Sequence, residues 1–231
     1  MIRSPELISN CLACQVPLAG PLSWPARALG IRRSDENPNL CSRCGNHLAA
    51  GEIRPVALVV LELEARLRFG DVELNALSER ELPALQQQLR ERLEHQSALV
   101  MPSDAEHPYR LQCYFNAPVV VDQPERQGYM ALMDALRWLE GELTSLGMQN
   151  RWRAVLTSGF VEVVACEGPL QCFPLGEVTF RASDLLERLS FGQLGADRSS
   201  IAALEQQDSS LLQSLDHNAL PAQRQGPELV V

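Results

Sequence analysis

The sequence predicts an α+β fold: a mostly antiparallel sheet with helices laid on one face, preceded by a small metal-held segment. Three observations carry this expectation. Four cysteines stand in two pairs, Cys11-Leu-Ala-Cys14 and Cys41-Ser-Arg-Cys44. Beyond residue 55, β-rich apolar runs are interleaved with leucines at helical spacing. The chain has 231 residues, 45% of them hydrophobic and 21% charged, which is enough to bury a proper core.

In chain order, the cysteine pairs come first. A two-residue gap turns both sulfurs of a knuckle toward one point, and two knuckles supply four thiolates, the closed tetrahedral set of a structural zinc site. The expected ligands are Cys11, Cys14, Cys41 and Cys44. His47 is an alternative fourth ligand to Cys44, and unmetallated thiols or a redox pair are the plainer readings. The 26 residues between the pairs hold Pro21, Pro25, Gly30 and Pro38 and read as a loop closed at its base by metal. Residues 1–50 carry few apolar side chains, so metal binding is expected to supply much of their stability.

Val56-Ala-Leu-Val-Val-Leu-Glu-Leu63 reads as a strand covered on both faces. Leu82, Leu85, Leu89 and Leu93 form one helix stripe, and Pro83 fits only a first turn, so that helix starts near Glu81. A strand follows over residues 109–117. Leu132, Leu136, Leu139, Leu143 and Leu146 then mark a long amphipathic helix closed by Gly147. Two strands over residues 152–157 and 160–165 are expected to meet in a hairpin at Ser158-Gly159. A third helix is expected over 178–189, and Leu204, Leu211, Leu212 and Leu215 suggest a last one. The tail from Pro221 is expected to be disordered. The division is 1–50, 51–200 and 201–231.

Charge narrows the function classes. The net charge is −9, with +2 on residues 1–50, −8 on 51–198 and −3 beyond. Such a field repels nucleic acid, although Arg27, Arg32, Arg33 and Arg43 leave a zinc-dependent nucleic-acid module as one alternative. All 20 basic residues are arginine, which excludes a P-loop and lysine Schiff-base chemistry. No apolar run reaches the ~20 residues of a membrane span, and no signal peptide is evident, so no membrane partner is expected. Seven cysteines then point to a reducing cytoplasm. Cys113, Cys166 and Cys172 lie in strand-like apolar settings and read as buried inert thiols; Trp138 and Trp152 read as packing residues.

With these elements placed, two stretches resemble class III adenylate/guanylate cyclases. One runs Arg153-Ala-Val-Leu-Thr-Ser-Gly-Phe-Val-Glu-Val-Val164, a spacer, then Leu175-Gly-Glu-Val-Thr-Phe-Arg-Ala-Ser-Asp-Leu185. The other is Asn37-Pro-Asn-Leu-Cys-Ser-Arg-Cys44 leading into the strand at Val56, similar to bacterial proteins whose cysteine-rich segment directly precedes the first cyclase strand. The resemblance implies a ferredoxin-like βαββαβ sheet and head-to-tail pairing, as a homodimer or as a heterodimer with an active cyclase-type domain. It also places the family's site residues on this chain. The two metal-binding aspartates fall at Glu62 and near Tyr109. The aspartate, ribose-orienting asparagine and phosphate-steadying arginine of the later motif fall at Glu177, Phe180 and Asp184. The purine-reading lysine has no counterpart, and the glycine-rich approach to the phosphates reads Glu64-Ala-Arg-Leu67.

These replacements imply a catalytically dead cyclase-homology domain serving as a regulatory, sensory or scaffolding module in intracellular signalling. The enzymatic alternative is a Mg-dependent nucleotide enzyme with a relocated site built from Glu62, Glu64, Asp71 and Glu73.

Overall fold

The computed structural model describes residues 9–11, 13–35, 37–64, 66–69, 72–75, 81–101, 106–117, 119–148, 150–164, 171–207, 223–225 and 228–230. Of 66–69, 72–75, 171, 223–225 and 228–230 it describes the backbone alone.

The first long strand, β1 (Glu52–Leu63), is the centre of the sheet. It pairs antiparallel with β5 (Arg110–Phe115) on one side and with β6 (Trp152–Val164) on the other. The short β4 (Leu99–Val100) lies outside β5, and β8 (Leu194–Ala196) runs parallel to β6. Between β1 and β4 comes α3 (Glu81–His95), and between β5 and β6 comes α4 (Pro124–Ser145). Strands β1, β4, β5 and β6 with these two helices make the βαββαβ order, with the strands ranked β4-β5-β1-β6. A separate ribbon, β2 (Arg66–Phe69) with β3 (Val72–Asn75), follows β1.

Alternation along β1 sends its side chains to two cores. Ala57, Val59, Leu61 and Leu63 face α3 and α4, where they meet Leu85, Leu89, Leu132, Leu136 and Leu139. The α3 leucine stripe is buried as its spacing predicts, with Pro83 in the first turn. Helix α4 approaches the sheet closely at Gly128, where a Cβ would stand 3.2 Å from Phe115 and 3.3 Å from Ala57. It ends in a Schellman turn: Gly147 takes φ +73°, its N–H donates to the Thr144 carbonyl, and Met148 N–H donates to that of Leu143.

The opposite side chains, Val56, Leu58 and Val60, face a second core. Helix α5 (Val178–Arg188) covers part of it with Val178, Ala182, Leu185 and Leu186. The cysteine-rich segment covers the rest with Cys11, Ala13, Leu18, Leu40 and Leu48. Its inter-knuckle stretch is more ordered than a plain loop, with a 3₁₀ turn (Pro21–Ser23) running into α1 (Trp24–Ala28).

Three expectations need correction. The helices do not all lie on one face, since α5 packs on the side of β1 opposite α3 and α4. Residues 152–164 form one unbroken strand rather than a hairpin, and the partner of its second half is β7 (Gln171–Leu175). Gly159 is there for a close approach, since a Cβ would stand 2.5 Å from the Val178 Cβ. The tail beyond Pro221 carries strands β9 (Gln223–Gln225) and β10 (Glu228–Val230), with β10 pairing to β8. The last described helix, α6 (Arg198–Gln207), includes Leu204; Leu211, Leu212 and Leu215 lie outside the described residues, as does Cys166. No described helix is long and apolar enough to cross a membrane.

Candidate metal centre and the strand-end carboxylates

The first knuckle is a tight turn. Cys11 N–H donates to the Val16 carbonyl, the Cys11 carbonyl accepts from Gln15 N–H, and Gln15 takes φ +60°. The second begins where Arg33 and Cys41 form an isolated bridge and α2 (Ser42–Ala49) starts. Cys41 is the N-cap of α2, and its Sγ accepts from Cys44 N–H at 3.4 Å. Cys41 N–H in turn donates to Cys11 Sγ at 3.3 Å, so the backbone of the second knuckle donates to one sulfur of each knuckle. Gly45 lets the second knuckle close, because a Cβ there would meet Ser34 Oγ at 2.4 Å.

The result is a cluster. The Sγ atoms of Cys11, Cys14, Cys41 and Cys44 all lie within 4.8 Å of one another, and Cys14 and Cys41 are 3.8 Å apart. Four thiol groups so placed can hold a metal ion. Burial pushes the Cys14 and Cys44 thiols up; it also opposes ionisation at Cys11, but backbone N–H groups of Cys14, Cys41 and Ala13 outweigh it there. The alternative ligand, His47, is not part of this group. It is exposed, with Nε2 3.6 Å from Glu52.

The strand-end carboxylates have different company. Glu62 stands opposite Arg110 of β5 and Arg153 of β6 in the strand registers. One Glu62 oxygen accepts from Arg110 Nη2 at 3.0 Å and from Arg153 Nη2 at 3.2 Å. Arg110 is buried, and Arg153 also donates to the Leu189 carbonyl beyond the end of α5 while its guanidinium covers the Phe191 ring. Two residues on, Glu64 accepts from Arg151 Nη1 at 2.6 Å. Asp71 and the Glu73 side chain lie outside the described residues.

The other family positions have surroundings of their own. Tyr109 packs against the α3–α4 core, on the far face of the sheet. Glu177 caps α5 through its backbone, with its carbonyl accepting from Arg181 N–H. Phe180 is 72% exposed, and Asp184 pairs with Arg188 one turn on.

Arg110 and Arg153 were missed in the sequence. Each was legible only as a lone charge on an apolar strand, and the register that brings both to Glu62 is a property of the sheet. Cys113 and Cys172 are buried, and burial pushes their thiols up to about 12 and about 11. Trp152 is buried, while Trp138 is half-buried under Arg92 at 4.7 Å.

No protein-family model matches the chain, and no curated protein sequence does. Solved structures do. The adenylyl cyclase CyaB from P. aeruginosa superposes with a TM-score of 0.51 at 9% identity, covering 68% of this chain and 83% of that one. The catalytic core of a rhodopsin-guanylyl cyclase with converted specificity, in complex with ATPαS, gives 0.51 at 13% identity over 67% and 84%. The guanylyl cyclase Cya2 gives 0.49 at 15% identity over 66% and 79%. The sheet order, the two core helices and the two superpositions at 0.51 agree: the chain has the fold of the class III adenylyl and guanylyl cyclase domains.

Proposed function

We propose that this cyclase-fold protein does not cyclise nucleotides and serves as a regulatory, sensory or scaffolding module in intracellular signalling. The observation that carries the reading is the Arg110–Glu62–Arg153 ladder. Cyclisation by two metals requires carboxylates free to neutralise cations, which in turn steady the triphosphate and activate the ribose hydroxyl. Here the carboxylate at the first position is engaged by two guanidiniums across the sheet. Glu64, the nearest substitute, is engaged by Arg151. The replacements at Tyr109, Phe180 and Asp184 support the same reading, because none carries the group that the resemblance assigns to its position.

The cysteine centre is proposed to hold zinc. A tetrahedral ion with bonds of about 2.3 Å sets its sulfurs about 3.8 Å apart, and Cys14 and Cys41 stand at 3.8 Å. Four thiolates close the coordination sphere, so the ion's contribution is to structure: it ties both knuckles over the second core. Residues 1–50 are then a metal-held cap, 51–200 the cyclase-homology unit, and 201–231 an accessory tail.

A dimeric partner, a second copy or another cyclase-type domain, fits an apolar patch on the projecting half of β6. Ile53, Phe160 and Phe173 are all exposed there and share one face, since Ile53 and Phe173 both stand opposite Glu162. The free thiols fit a cytoplasmic setting.

The ladder reading is tested with Mn²⁺ and ATP, following the paramagnetic signal of free and bound ion. The protein is expected to retain no Mn²⁺ beyond what the nucleotide itself binds. A tight protein–Mn²⁺–ATP complex that is lost on Glu62→Gln would overturn it.

A further inference from the structure

The base of the lobe between the two knuckles packs Leu18 and Leu40 into the second core, but its helical tip over residues 21–29 is inverted in its polarity. Its small residues face inward: Ser23 is buried, donating to the Gly20 carbonyl at 2.7 Å, and Ala26 is buried beside it. Its large apolar residues face outward, with Leu22 76% exposed, Trp24 74% and Leu29 79%. Pro21 and Pro25 stiffen the backbone that presents them. Single apolar residues on a surface are ordinary, but here three large ones stand exposed within eight positions while the Ser and Ala between them are tucked in.

Charge accompanies the apolar tip. Residues 15–40 carry three arginines against Asp35 and Glu36, and Arg43 follows on α2, a local excess of positive charge in a chain that is otherwise strongly acidic. Arg27, Arg32 and Arg43 are exposed, and none has a carboxylate partner among the described residues. A pocket of about 350 Å³ opens beside the tip, lined by Leu29, Gly30 and Ile31 from the lobe and by Ser42, Arg43 and Asn46 from α2. It joins the apolar tip to a guanidinium and two neutral hydrogen-bonding side chains, with no acid among its walls.

We propose that this lobe docks the protein peripherally on an anionic phospholipid surface. Leu22, Trp24 and Leu29 would enter the headgroup–acyl boundary, and Arg27, Arg32 and Arg43 would meet lipid phosphates and carboxylates, with the pocket at Leu29 and Arg43 accommodating one headgroup. Aliphatic side chains gain from a bilayer boundary, and an indole is well placed there with its N–H toward water. A nucleic acid offers Trp24 a base to stack on but gives Leu22 and Leu29 nothing in return. The proposal revises the expectation that no membrane is involved, and it holds whether or not the chain cyclises nucleotides.

The test is cosedimentation of the full protein with phosphatidylcholine vesicles, with and without about a third phosphatidylserine. The expected result is binding to the anionic vesicles that weakens with salt and a blue shift in Trp24 emission, read as the difference from a Trp24→Phe variant. Trp24→Ala with Leu29→Ala should reduce binding more than tenfold, and each of Arg27→Gln and Arg43→Gln about fivefold. All these positions are exposed, so the variants keep the fold, which circular dichroism checks. Absence of binding to the anionic vesicles overturns the proposal, as does binding unaffected by the Trp24/Leu29 pair. So does capture of a single-stranded oligonucleotide, lost with the same arginines, in protein that ignores vesicles; that result assigns the lobe to nucleic acid.

Discussion

Glu62 concentrates the energetics of the strand ends. Its partners Arg110 and Arg153 are themselves mostly buried, with side-chain exposures of 6% and 16%. Removing the carboxylate leaves two guanidiniums uncompensated in a weakly solvated place, so Glu62→Gln should destabilise the fold by about 3–5 kcal/mol in urea unfolding. Glu64→Gln should cost no more than ~1 kcal/mol, since Arg151 reaches solvent. Equal stability of the two variants would remove the ladder from the account. Glu52 is a milder case. The Arg54 hydrogen bond, helped by the charges of Arg54 and His47, holds its carboxyl below the usual 4.5 against the opposing effect of burial. A depressed carboxylate stabilises the fold fully above about pH 4.5, and that contribution disappears as pH falls through the folded-state value. Glu52→Gln should therefore flatten the acid limb of the stability curve and leave the alkaline limb unchanged. Cys113 and Cys172, with thiols pushed up by burial, should resist iodoacetamide in the native protein at pH 8, as peptide mapping can show.

Among the elements, the helices were the most legible in sequence and the strand ends the least. Leucines at three- and four-residue spacing carry α3 and α4 with their caps, because a helix writes its period and its ends locally. The reading of Ser158-Gly159 as a turn failed for a physical reason. Glycine signals either a positive φ or missing bulk, and the distinction at Gly159 lies in Val178, nineteen residues away. Gly159→Ala should then cost about 1–3 kcal/mol by driving α5 off β6, whereas a turn glycine with negative φ would accept alanine freely. The cysteine ligand set was legible because its spacing is local within each knuckle. The surroundings of Glu62 were only half legible: the residue itself could be read off the chain, but the arginines that engage it come from two other strands and appear only once the register is known.

For the whole molecule, the two faces of one sheet are finished by different means. Leucine helices close one; α5 and the cysteine-rich segment close the other. On the proposed metal-held reading, metal and core are coupled, since Leu40 and Leu48 of the same segment share the second core with Val56, Leu58 and Val60. Protein purified without added zinc should contain about one equivalent. Cys41→Ser should lose the ion, release residues 1–50 and expose the second core, seen as dye binding and self-association with the α3–α4 core retained. Iron in place of zinc, or an unchanged dye signal, would contradict that coupling. The central claim, a cyclase fold without cyclase chemistry, meets its most direct test in turnover. The protein is incubated with ATP or GTP in the presence of Mg²⁺ or Mn²⁺, and products are followed by mass spectrometry. The account predicts no cyclic nucleotide above a protein-free control in any of the four combinations. Cyclic product in any of them, abolished by Glu62→Gln in a folded variant, would contradict it.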